Sequence, residues 1–194
     1  MSTTVAILRV IHIVNAVLMA WPIYALVLVN QRVRLGPPLG DRADTYMENT
    51  IKNRTIPCFI FQFTALLSGL GLILAQNQSL SVIFSNNALA FKFGLLLVVM
   101  GLLAMVHFNL QPRIDSLFAS GEPPYAPEVA AEIGTLRVVR KRVASICMFL
   151  VLVIVMLGVQ VWIAFDVWLT AILVLAIALF TWRVYSSETP YGWV

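Results

Sequence analysis

The chain has 194 residues, of which 60% are hydrophobic and only 11% charged, with a formal net charge of +4. Its mean hydropathy of +0.90 lies outside the range of soluble globular proteins, in which roughly a quarter of residues are charged. The cations cluster between apolar runs, a pattern of membrane orientation rather than of nucleic-acid binding, and two cysteines make no disulfide framework.

A span needs about 20 apolar residues, and five segments reach or approach that length. The first, about Val5 to Val29, follows no charged leader and is too long for a signal-peptide core, so it reads as a retained span. The second runs from about Ile56 to Ala75, and the third from about Ala88 to Leu110. The tract from Val143 to Tyr185 is too long for one crossing. Asp166 lies near its middle among Trp162, Phe165 and Trp168, which fits a tight turn at an interface and divides it into about Val143–Ala164 and Val167–Val184. A broken or re-entrant hairpin in this tract would leave four spans. The expected fold is therefore a single all-α membrane domain, a bundle of five helices with four as the alternative.

Loop one carries Arg32, Arg34, Arg42, Lys52 and Arg54, and loop three carries Arg113, Arg137, Arg140, Lys141 and Arg142. The connection 76–87 and the turn at Asp166 carry none. The positive-inside rule then predicts an outside N-terminus and a cytoplasmic C-terminus, most simply in a bacterial plasma (inner) membrane. Loop one breaks at 35–40, Leu-Gly-Pro-Pro-Leu-Gly, after which Asp41 can cap a short interfacial helix. Loop three breaks at 121–127, and from Glu128 the helical pattern runs on into the fourth span. The cluster Arg137 to Arg142 reads as a topology determinant at anionic headgroups.

Polar groups inside a span need a partner or a task. His12, Asn15 and Met19 share one face of the first helix. His12 sits roughly 10–12 Å below its outer end. At similar depth lie Ser68, Gly69 and Gly71 on the second helix, Lys92 and Gly94 on the third, and Met156 and Gln160 on the fourth. Small residues at that level allow a close crossing or the approach of a flat cofactor. His12 can hydrogen-bond across the bundle, to Gln160 for example, or serve as an axial ligand to haem iron. Lys92 can snorkel to the interface or pair with a carboxylate of a ligand, the spans themselves offering none. His107, about 22 Å along the third helix from Lys92, lies too deep to share a haem with His12. Near it fall Cys58, Cys147 and Met148, which could bind a soft metal such as Cu(I) or remain core residues.

Phosphate-binding loops, dinucleotide fingerprints, zinc-protease motifs and nucleophile elbows are absent from the sequence. Two histidines with no mid-membrane carboxylate speak against a proton-coupled transporter. The segment RVIHIVNAVLMAWPIYAL resembles the first helix of CopD-like and HemJ-like integral membrane proteins, and FKFGLLLVVMGLLAMVH is similar to their lysine-bearing helix. The resemblance implies that His12 and Lys92 form a functional pair, and links the chain to b-haem-binding oxidases or to copper handling.

The expected protein is thus a b-type haem-binding membrane subunit in electron transfer or haem and redox metabolism. His12 would ligate the iron, Lys92 would be a propionate partner or second ligand, and Asn15, Ser68, Gly69 and Gly94 would line the ring. Its partners would be the lipid bilayer and other membrane subunits, not nucleic acid. The alternatives are a non-catalytic accessory subunit of a respiratory or photosynthetic complex, and copper transport through Met19, Met105, His107, Met148 and Cys147.

Overall fold

The computed structural model describes residues 3–20 and 22–186, and every described element is helical. Five helical stretches are long and apolar enough to cross a membrane. The chain is therefore an integral membrane bundle, with one end rich in basic side chains and the other poor in them.

The first crossing comprises α1 (Thr3–Leu18) and α2 (Pro22–Leu35). The sequence reading treated this stretch as one helix. Two short-range bonds at the junction, Ala20 N to Val17 O and Ile23 N to Ala20 O, both 3.0 Å, mark a tightened turn. Pro22 explains it, because a proline has no N–H to give back to the preceding turn and suits the first position of a new helix. The break redirects the chain: α1 packs along the second crossing, whereas α2 packs along the fourth.

Loop one folds into α3 (Arg42–Lys52), capped as expected by Asp41, whose carboxylate accepts from Asp44 N at 2.7 Å. The second crossing is α4 (Thr55–Ala75), and a short α5 (Val82–Ser85) follows. Next, α6 (Asn87–Met105) is capped by Asn86, which accepts from Leu89 N at 3.2 Å. It passes through a π-helical turn, Val106–Leu110, into α7 (Gln111–Ala119). Pro112 accounts for that wide turn, since it cannot donate to the Phe108 carbonyl and its ring crowds the preceding turn.

The fourth crossing, α8 (Pro127–Gln160), has 34 residues and runs unbroken from loop three, as its pattern predicted. Its buried positions Ile133, Leu136, Arg140, Val143, Cys147, Val151 and Ile154 recur every three or four residues, a single stripe facing the other helices. After the turn around Asp166, α9 (Val167–Ser186) packs mainly along α8 and buries only Thr181. The mid-membrane core joins Met19, Ala65, Leu96, Val99, Val143, Cys147, Val151 and Ile154. Lipid tails are as apolar as these side chains, so van der Waals fit and polar contacts, rather than escape from water, hold the helices together.

Candidate functional site

The level predicted from helical rise is a contact in three dimensions. His12 on α1, Ser68 on α4 and Lys92 on α6 meet at the end of the bundle poor in basic residues. His12 Nδ1 lies 2.9 Å from Ser68 Oγ, and His12 Nε2 lies 3.0 Å from Lys92 Nζ. These bonds join residues 56 and 80 positions apart.

The proton positions follow from the donors available. Ser68 has one hydroxyl hydrogen and gives it to the Thr64 carbonyl at 2.6 Å. Toward His12 it can therefore only accept, so Nδ1 carries the ring hydrogen. Nε2 is then the acceptor toward Lys92 Nζ. The Ser68 hydroxyl thus fixes the orientation of the ring.

Two glycines permit the arrangement. A Cβ on Gly69 would stand 3.2 Å from His12 Cε1, so the ring lies against bare α4 backbone. A Cβ on Gly158 of α8 would stand 3.3 Å from Lys92 Nζ. Gly158 escaped the sequence reading, although its small size on the fourth helix at this depth was a usable signal. Two other expected members stand apart. Asn15 is buried but turns back on its own helix, with Nδ2 donating to the Ile11 carbonyl at 2.8 Å. A Cβ on Gly94 would meet nothing within 4 Å. Gln160, the partner suggested for His12, instead donates to Thr170 Oγ1 at 2.8 Å. Trp21, part of the segment that carries the family resemblance, lies outside the described residues.

The opposite end holds a larger polar assembly, which the sequence reading missed. Arg137 grips Asp44 with both terminal nitrogens, at 3.0 and 2.9 Å, and reaches Glu48 at 3.0 Å. Arg32 reaches Asp44 at 3.1 Å and Glu48 at 3.2 Å. Arg140 holds both Glu48 oxygens and donates to Gln111 Oε1 at 2.6 Å, while Gln111 Nε2 returns to Glu48 at 3.2 Å. Arg32, Asp44, Glu48, Gln111 and Arg140 are all buried, and together they tie α2, α3, α7 and α8. Arg137 and Arg140 thus turn inward onto carboxylates rather than outward to headgroups. Burial alone would raise the Glu48 carboxyl, but the hydrogen bond and charge of Arg140, with the charges of Arg137 and Arg32, hold it at about 2.

Docked loops close this end. Gly40, at φ +80°, lies so close to Tyr125 that a Cβ would come within 2.6 Å of its ring. Its amide donates to Asp44 Oδ2 at 3.0 Å.

His107 sits in the π-helical turn, with Nδ1 2.9 Å from Thr55 Oγ1 and its ring edge-on to Phe59 and Phe108. It is at the basic end, separate from His12, as the spacing implied. Cys147 lies within the apolar core, and both cysteines are free thiols. Among the described residues, no three His, Cys, Asp or Glu side chains stand close enough to hold a metal ion.

No family model matches the sequence, and neither does any curated protein or solved structure. The geometry therefore carries the functional argument.

Proposed function

We propose that the chain is a b-type haem-binding membrane subunit acting in electron transfer or in haem and redox metabolism. In this reading His12 would hold the haem iron, and Lys92 would be a propionate partner or second ligand. The basic end faces the cytoplasm, the N-terminus lies outside, and the membrane is a bacterial plasma membrane. The kinship is with the CopD-like and HemJ-like proteins that the first and third spans resemble.

One observation carries the reading: a histidine held by Ser68 at Nδ1 turns Nε2 to a lysine that has no carboxylate partner among the described ion pairs. A neutral imidazole is a nitrogen donor to iron, so His12 fits haem. The four-carbon arm of Lys92 can swing aside from Nε2. Gly69 lets the His12 ring lie against α4, and Gly158 lets the Lys92 tip lie against α8. Ser68 orients the imidazole, and the surrounding apolar helices keep out water. Haem bound there would supply one-electron redox chemistry.

An absorbance spectrum of the purified protein tests this. A Soret band is expected, and it should be lost in His12→Ala. A protein with no Soret band, or a band unchanged by that substitution, would sink the reading.

A second reading has its own support. Leu169, Ile172, Leu175 and Leu179 of α9 are all exposed, and a helix apolar on its outer side can face either lipid or another subunit. As an accessory subunit, the chain should purify from native membranes within a larger assembly. Migration as a lone monomer counts against it.

A further inference from the structure

Arg9 lies three residues before His12 on α1, so the two share a face. Its guanidinium carbon stands 4.1 Å from the centre of the Trp162 ring, just beyond the end of α8. Its Nε is buried without a hydrogen-bond partner, as are those of Arg137 and Arg140, but unlike them Arg9 has no carboxylate on its terminal nitrogens among the described ion pairs. Gly158, one turn back along α8, is the residue against which Lys92 Nζ rests. Arg9, His12, Lys92 and Trp162 therefore frame one corner between α1, α6 and the end of α8.

That corner contains two cations. Among the described residues, neither Arg9 nor Lys92 enters an ion pair, and nor does Asp166 in the nearby turn. The ion pairs among the described residues lie at the other end of the bundle. Two cations in a half-buried, lipid-surrounded corner are costly unless an anion joins them.

We infer that Arg9, stacked on Trp162, is the anion-pairing arm of the site and receives a carboxylate of the haem. The assignment rests on the haem reading above and sharpens it. It gives the propionate to Arg9 and leaves Lys92 facing His12 Nε2. A guanidinium suits the task, because its planar fork matches a carboxylate with two parallel hydrogen bonds. The indole holds the plane of that fork while leaving its edge free. Trp162 is itself exposed, as befits an aromatic at the interface where the acidic edge of an amphiphile would emerge.

The test titrates the purified full-length protein with haem b and, separately, with haem b dimethyl ester, whose carboxylates are masked. The Soret band is the readout. The wild type should bind haem b on the order of tenfold more tightly than the ester. In Arg9→Gln that preference should vanish, while Arg9→Lys keeps part of it. The comparison of the two ligands on the wild type needs no variant to fold. Equal binding of acid and ester, or a preference that survives Arg9→Gln, overturns the role of Arg9 and leaves the haem reading standing. No Soret band with either ligand removes the haem reading, and the assignment of Arg9 with it.

Discussion

The two ends of the bundle solve the problem of buried charge in opposite ways. At the basic end, three arginines close on two carboxylates and a glutamine, and each carboxylate meets more than one arginine. At the other end, Lys92 meets His12 and Arg9 stacks on Trp162, with no ion pair to either cation among the described residues. The basic end still carries one arginine charge more than its carboxylates, and the Nε atoms of Arg137 and Arg140 are buried without a hydrogen-bond partner, but its ion pairs hold parts of the fold together. The other end has no ion pair among the described residues, contributes less to stability and is the better place to look for function.

Substitutions should separate the two ends by magnitude, and the largest effect is expected at Glu48. Glu48→Ala leaves Arg32, Arg137 and Arg140 with one carboxylate between them. Breaking a buried pair of this kind costs about 3–5 kcal/mol, so melting in detergent should fall steeply. A variant that melts like the wild type would show that the network is not what holds this end. The same residue gives the acid response. Its carboxyl lies at about 2, below its ordinary 4.5, so its contribution is whole above pH 4.5 and is lost as pH falls through 2. The melting temperature should be flat from neutral pH to about 5 and drop below that, and Glu48→Gln should remove this part of the drop.

Gly40→Ala is expected next. It forces a Cβ into Tyr125 at a positive φ, which costs about 1–3 kcal/mol, readable in the same melts. At the other end Ser68→Ala should cost only about 1 kcal/mol, the worth of one hydrogen bond. On the haem reading proposed above, its larger effect should be on haem affinity, lowered roughly 10–100-fold as the imidazole loses its orienting partner. If Ser68→Ala destabilises the protein as much as Glu48→Ala does, the contrast between the ends fails. Gly158→Ala should be the mildest. Its Cβ meets the mobile tip of Lys92 at 3.3 Å, and the effect should fall within about 0.5 kcal/mol.

The spans were legible because length and apolarity are local properties. The meeting of His12, Ser68 and Lys92 was legible because straight helices convert residue number into depth. The basic end was hidden for the converse reason. Glu48 and Arg140 lie 92 residues apart, and no periodicity joins them, so arginines between spans read as headgroup anchors. The acids of loop one were in view, and an amphipathic α3 could have suggested that they face inward. Pro22 and Pro112 were visible too, but a proline does not reveal whether a helix will break, as at Met19–Ala20, or widen, as at His107. Arg9 was absorbed into the first apolar run, because one cation hardly alters its mean hydropathy.

The unbroken α8 carries Arg140 at one end of the bundle and Gly158 at the other. Eighteen residues separate them, about 27 Å of rigid helix at 1.5 Å per residue. The helix therefore keeps the two ends in rotational phase, like marks on a single shaft. One residue inserted in its apolar middle would turn everything beyond it by about 100°. Gly158 would swing away from Lys92 while Arg140 kept its hold on Glu48. The spacing along α8 is thus as much a part of the site as any residue that lines it.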